Sequence, residues 1–311
     1  MGHADLTTAG ALSTSPKSGA KIRIGISGWS YAGWRGVFYP PKLRHADELR
    51  FAADRFPSIE INGSFYRMQT PQSFGDWHAQ TPDTFEFAVK GPKFITHMKG
   101  LRDVEVPLAN FLASGPLRLG RKLGPMLWQF PARRKFDADL FEAFLALLPK
   151  TQGEAAELGA RHDQRLRAPA FLDVEEDRPI RHAVEIRNDS FRDERFIALL
   201  RRYKVALVVA DTVEWPLLAD LTADFVYCRL HGSEELYASG YEDDALDRWA
   251  KLVAAWADGD DPEDAPHVTT RLPHCRSGRD VYLYFDNDAK VRAPKDAQSL
   301  IAKLSSALPQ A

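Results

Sequence analysis

Four residues of this chain carry side chains suited to proton transfer, and each sits late in an apolar run. Glu60 lies in SIEIN, Glu185 in HAVEIRN, His231 in FVYCRLHG and Asp286 in VYLYFDND. A carboxylate accepts a proton at neutral pH, and an imidazole both gives and takes one. Glu60 or Glu185 is therefore expected as general base and His231 as acid or proton shuttle, with Asp286 as a fourth catalytic candidate. Cations share these runs: Lys90 closes FEFAVK, Arg187 follows Glu185, and Arg229 precedes His231. A guanidinium presents a fork that matches carboxylate or phosphate. Asn62, Gln129, Asp211 and Asn287 add hydrogen-bonding groups, and Trp29 and Tyr66 add rings on which a ligand can stack. The set predicts a pocket for a small anionic or phosphorylated ligand.

Placing these groups together requires a scaffold that gathers strand ends. The parity of the runs points to one. Ile59 and Ile61 alternate with Glu60 and Asn62, and the polar members are expected to continue through Ser64 on the same strand. Val184 and Ile186 oppose Glu185 and Arg187; Val226, Cys228 and Leu230 oppose Tyr227, Arg229 and His231; Leu283 and Phe285 oppose Tyr284 and Asp286. Phe87 and Val89 oppose Lys90, and Asp211 is placed in the same sense at the end of VALVVAD. In a closed barrel the apolar set meets the surrounding helices, and the polar set faces the mouth at the carboxyl ends of the strands. For any single charged member the competing expectation is a place in a self-satisfied ion-pair network that plugs the barrel, because an unpartnered buried ion costs several kcal/mol.

The order of elements agrees. Strands are predicted over 22–28, 58–64, 85–90, 125–131, 182–188, 205–211, 225–232 and 281–288. Helices are predicted over 43–56, 72–80, 108–123, 140–148, 196–203, 245–257 and 297–308. Strands alternating with helices at this count define an α/β fold of the (β/α)8 TIM-barrel class. An open doubly wound sheet is the lesser alternative, and no GxGxxG follows the first strand. Two charged insertions interrupt the rhythm at about 151–180 and 258–280. Residues 1–20 read as a flexible leader, and 21–311 as one barrel domain.

The chain has 311 residues, 44% hydrophobic, with a formal net charge of -2. That balance makes no general demand for nucleic acid. Cys228 sits in an apolar run and Cys275 in a polar loop, so reduced thiols and a cytoplasmic location are expected. No run approaches the roughly 18 apolar residues of a membrane helix, so no membrane partner is predicted.

Several motifs taken in order resemble the YecE-like family, domain of unknown function 72. They are GISGWSYAGWRGVFYP, EINGSFYR, TPDTFEFAVKGPKFITH, LGPMLWQFP, VEIRNDSF, FVYCRLHG and VYLYFDND. The resemblance runs from about residue 22 to 308 and implies a TIM barrel without naming a reaction. It also implies pocket roles for Trp34, Arg35 and His97 beside the residues named above.

Two further functions compete with acid/base chemistry on a small anion. One is a nucleic-acid-binding phosphodiesterase or endonuclease-like protein using a divalent metal. His97, His231, Glu60, Glu185, Asp211 and Asp286 are its ligand-type residues, and RLGRK and RHDQRLR are its basic segments. No HExxH or paired-histidine spacing supports a metal site, so no cofactor is assigned. The other is a non-catalytic module that senses a metabolite or docks a partner through the aromatic loop at 29–39.

Overall fold

Eight short parallel strands close into a barrel in strict chain order, each pairing with its sequence neighbour and the last with the first. This is a (β/α)8 TIM-type barrel. In this computed structural model residues 16–232, 236, 240–287 and 291–307 are described. The strands are β1 (Ile22–Ser27), β2 (Ser58–Ile61), β3 (Glu86–Lys90), β4 (Leu123–Gln129), β5 (His182–Glu185), β6 (Ala206–Asp211), β7 (Phe225–Leu230) and β8 (Asp280–Phe285). The helices are α1 (Glu48–Ala53), α2 (Gly63–Tyr66), α3 (Pro71–Ala79), α4 (Glu105–Ala113), α5 (Ala138–Leu147), α6 (Gln152–Gly159), α7 (Glu194–Tyr203), α8 (Asp243–Asp258) and α9 (Arg292–Ala307).

Alternation along each strand divides the core into two layers. Ile24, Ile26, Ile59, Ile61, Phe87, Val89, Trp128, Val184, Cys228 and Leu283 point outward and pack beneath the helices. Removing each such large side chain from water stabilises the fold by about 1.5–3 kcal/mol. The inward positions form a separate cluster of small and aromatic residues, among them Ala88, Leu127, Ala183, Val208, Tyr227 and Tyr284.

Branched aliphatic side chains usually fill a barrel of this class. Here polar groups share the interior with that cluster and are bonded in tiers. At the amino end Arg23 and the Tyr282 hydroxyl both donate to the Glu86 carboxylate, at 3.0 and 2.6 Å. Midway the Ser58 and Tyr284 hydroxyls lie 2.6 Å apart, and the Tyr284 and Tyr227 rings pack at 5.3 Å. Tyr227 then donates to Glu60 at 2.6 Å, which carries the column to the carboxyl end.

Local chemistry sets the helix ends. Thr70, Asp137, Thr151 and Asp193 each accept a backbone N–H at an amino terminus. Gly259 closes α8 with a φ of 103°, a conformation that disfavours any side chain.

Several boundaries differ from expectation. β2 stops at Ile61, and the residues predicted to extend it form α2, a single turn that carries Ser64 away from the strand. The helix predicted over 108–123 ends at Ala113. Gly115, with a φ of 123°, and Pro116 break it, and a 3-10 segment covers 116–122. The first helix is confined to 48–53, β4 begins at 123, and β5 ends at 185. Residues 1–15 of the expected leader, Asp288 and Leu308 lie outside the described residues.

The first insertion contributes α6 and then runs without regular structure. The second is held in part by a buried carboxylate outside it. Asp220 accepts from the backbone N–H groups of Val268 and Thr269 at 2.8 and 2.9 Å, and from the Thr269 hydroxyl at 2.6 Å. Asp220→Ala should therefore leave these donors unpaired, lower stability by about 2–3 kcal/mol and expose the second insertion to trypsin. Urea denaturation and limited proteolysis read both effects.

Candidate functional site

The barrel mouth is organised around Arg229, near the end of β7, whose side chain is wholly buried. Its Nε and Nη2 donate to the two oxygens of Glu60 at 3.0 and 2.9 Å, a bidentate pair. Its Nη1 donates to Glu185 Oε2 at 2.6 Å. Nη2 also reaches Asp286 Oδ2 at 2.7 Å and Ser27 Oγ at 3.1 Å. The three carboxylates hold the guanidinium well above its ordinary basicity against the opposing effect of burial.

Glu60 is saturated in return. Besides both bonds from Arg229 it accepts from the Tyr227 and Ser27 hydroxyls, and Asn62 donates to Ser27 at 2.7 Å. Glu185 accepts from Arg187 Nε at 2.7 Å. Burial alone would raise the Glu185 carboxyl, but Arg187 and Arg229 hold it well below its usual range. Asp286 is lowered in the same way by Arg229 and His231. It is the most open of the three, with 12% of its side chain exposed.

Above this floor His231 Nδ1 lies 3.1 Å from Asp286, and its ring meets the edge of Trp215 at 5.3 Å. Burial lowers the His231 pKa, so its imidazole is neutral at pH 7. The Arg187 guanidinium stacks on the same ring, 3.9 Å from the Trp215 ring centre.

Lys90 ends β3 with 6% exposure. Among the described residues no hydrogen bond or ion pair reaches its ammonium, which lies over the Phe65 ring at 4.6 Å. Burial, reinforced by the positive charge of Arg229, lowers its pKa to about 8. Gln129 closes β4 on the same inward face. His97 lies in a π-helical turn after β3, edge-on to Phe65 at 5.2 Å. Burial and nearby cations lower it to about 4.

The structure thus gathers Glu60, Asn62, Lys90, Gln129, Glu185, Arg187, Arg229, His231 and Asp286 at one end of the barrel. Two of them take parts other than those expected. Arg229 spends its donors on protein carboxylates and has no face for a ligand anion. Glu60 has every acceptor position filled, which removes it as general base. Both belong to the ion-pair plug that was the competing expectation.

Other expected members stand elsewhere. The Asp211 side chain turns outward, because Ala206, Val208 and Ala210 occupy the inner face of β6. It accepts from Trp249 Nε1 of α8 at 3.1 Å, and burial raises its pKa. Trp29 packs edge-on to Trp77 of α3 at 5.3 Å and near Phe87, between barrel and helices. Asn287 donates to Asp296 of α9 at 2.9 Å. Tyr66 is 68% exposed on the rim. Trp34 is buried among Tyr31, Phe38 and Tyr39, and Arg35 pairs with Glu48.

Ser27 and Trp215 complete the mouth without having been expected there, beside Tyr227, which the parity of its strand had placed on the inner face. Ser27 and Tyr227 lie at inward parity in β1 and β7, which was the available signal. Trp215 sits in the loop after β6, where no periodicity marks it.

Among the described residues no group of three or more His, Cys, Asp and Glu side chains is placed to hold a metal ion. Arg229 occupies the centre that such an ion would need. Three of the basic residues in the two segments have local partners: Arg121 pairs with Asp83, Arg161 with Glu105, and Lys122 donates to the His78 and Thr81 carbonyls. A groove of about 580 Å³ at the opposite end of the barrel is rich in arginine. Its Arg181 and Arg202 are likewise paired, with Asp280 and Glu142. No helix among the described residues is long and apolar enough to cross a membrane.

Substitutions at the plug test its electrostatics. Glu60→Gln should cost about 3–5 kcal/mol by breaking a buried pair. In the wild type the lowered carboxyls of Glu185 and Asp286 contribute stability that is complete above their unfolded pKa values, near 4, and is lost as pH falls through the folded ones. Arg229→Met reverses the sign. Its three clustered carboxyls rise above their unfolded values, so the variant loses stability as pH climbs through those raised values. Urea midpoints at pH 5 and pH 8 should rank the variant as more stable at pH 5; a midpoint equal or higher at pH 8 contradicts this electrostatic picture.

Comparison with known proteins places this geometry in a lineage. Residues 23–311 match the family model described as protein of unknown function DUF72. The UPF0759 protein YecE of Escherichia coli O157:H7 is 25% identical over 297 residues, covering 93% of this chain and 94% of that protein. The UPF0759 protein YunF of Bacillus subtilis is 33% identical over 119 residues, which span 35% of this chain and 40% of YunF. A crystal structure of a DUF72 family protein from Thermotoga maritima superposes with a TM-score of 0.68 at 24% identity, covering 91% of this chain and 99% of that one. One from Enterococcus faecalis gives 0.64 at 17% identity, covering 91% and 95%. These likenesses show the fold, and the match to the family model over nearly the whole length shows that the chain belongs to the DUF72 family.

Proposed function

We propose that this protein is an enzyme that works by general acid/base chemistry on a small anionic ligand seated at the carboxyl-end mouth of the barrel. One observation carries the reading. Beside a plug whose three carboxylates are each bonded to arginine stands a buried lysine with no hydrogen bond or ion pair among the described residues and a pKa of about 8. A lysine in that state exchanges a proton near neutral pH, which a solvated lysine does not. A merely structural cation would be expected to take up one of the carboxylates at hand.

The parts divide as follows. The Glu60–Arg229 pair forms the floor of the mouth. Lys90 gives or takes the proton. Asp286, the one plug carboxylate with exposed surface, accepts a ligand hydroxyl, and neutral His231 relays through it. Arg187, stiffened by its stack on Trp215, and Gln129 orient the ligand; the positive edge of Arg187 suits a carboxylate or phosphate. The metal-dependent phosphodiesterase reading finds no comparable support, because the ligand-type side chains it needs are bonded to Arg229 or turned outward.

The test is a thermal-shift panel of orthophosphate, small carboxylates and sugar phosphates, followed by NMR of each stabilising compound in D2O. At about 100 times its Kd, at least one compound should raise the melting temperature by roughly 5 °C and exchange a carbon-bound proton or turn over. Arg187→Met should weaken that compound by about tenfold or more. Lys90→Gln should retain the fold and abolish exchange. No stabilisation by any member of the panel, or exchange that survives Lys90→Gln, contradicts the proposal.

A further inference from the structure

A second site stands on the same rim. Seven large hydrophobic side chains among the described residues are exposed, and four of them, Tyr66, Met68, Phe94 and Met98, line one cavity of about 300 Å³. Tyr66 and Met98 are each 68% exposed. Isolated exposed hydrophobics need no explanation, but a concentration of them around one hollow marks a binding surface. Phe65 and Ile95 form the buried wall. Methionine side chains adapt to the shape of an apolar guest, which suits such a site.

The charge around the hollow has one sign. Arg67, Lys93 and Arg165 line it, and no aspartate or glutamate does. The nearest pairing is loose: Arg165 Nε lies 3.8 Å from Asp163 and remains 70% exposed. Lys93 sits 5.4 Å from the Tyr66 ring. Arg165 comes from the first insertion, whose place here is held by Asn110 of α4, which donates to Asp163 at 2.9 Å. The hollow is concave and at the lower end of small-molecule sites, roughly 300–1,000 Å³. That shape favours a compact guest over a flat protein surface.

We propose that this cavity binds the apolar body of a small amphipathic anion, an alkyl or aryl carboxylate, with Arg67, Lys93 and Arg165 meeting its charged end. The site goes beyond the reaction proposed above. It is read by binding alone, so either can fail without the other, although Phe65 is shared between the cavity wall and Lys90.

The chain has four methionines, which makes a local probe available. Protein carrying 13C in its methionine methyl groups is titrated with sodium octanoate below its micelle threshold, and separately with 1-octanol and octylamine. The Met68 and Met98 signals should move along one saturable curve while Met126, buried under the helices, stays in place. Octanol should bind about fivefold more weakly than octanoate and octylamine more weakly still. The double substitution Lys93→Gln with Arg165→Gln should bring octanoate to the level of octanol, and Met98→Asp should weaken it by about tenfold. An unmoved Met126 signal certifies the fold of each variant. The proposal is overturned by the absence of a saturable shift, by octylamine binding as well as octanoate, by a response seen only with anionic phospholipid vesicles, or by sedimentation showing that a second copy of the chain covers the cavity.

Discussion

One buried guanidinium ties the top of this barrel together. Arg229 of β7 is bonded to Ser27 of β1, Glu60 of β2, Glu185 of β5 and Asp286 just beyond β8. Taking that many charges out of water costs several kcal/mol for each ion, which mutual attraction repays only when the geometry is near ideal. The closed sheet supplies that geometry, since strands held in register present these side chains toward one axis. The plug and the barrel thus require one another. Without the plug the strand ends would carry three repelling carboxylates, and without closure the arginine would lack partners.

The plug also sets the electrostatics of the groups next to it. Fixed charges in a site of low polarity act strongly on any titratable neighbour, because little solvent intervenes. Lys90 feels Arg229 as a repelling charge and burial as a penalty, and the three carboxylates offset these only in part. His231 stays neutral although it sits beside Asp286. Bonded charges below and, among the described residues, an unpaired buried lysine above place a titratable group in a field of fixed charges. Trp215 completes the enclosure by stacking on Arg187 and bounding His231.

Much of this was legible in the sequence because the strands alternate cleanly. Where apolar and polar residues take turns, as at Ile59-Glu60-Ile61 or Cys228-Arg229-Leu230, parity identifies the inward face. β6 defeated the same logic. Ala206, Val208 and Ala210 make its inward side as apolar as its outward side, so Asp211 was placed on the wrong face. Pattern also cannot distinguish a carboxylate that faces a ligand from one that faces an arginine three strands away around the barrel, and for that reason Glu60 was expected to be a base. Trp29 and Trp215 show the limit for loops. Each is an aromatic residue outside any periodic segment, and only tertiary packing sends one beneath α3 and the other over the mouth. The rim cavity was hidden for a related reason, since α2, the turn after β3 and the first insertion each supply part of it.

The account stands most directly on the state of one amine. Titration of the Lys90 side chain by 13C NMR, assigned with Lys90→Gln, should show a transition near pH 8, well separated from that of the solvated lysines. A transition at about 10.4, the value of an unperturbed lysine, would mean that the plug does not act on its neighbour.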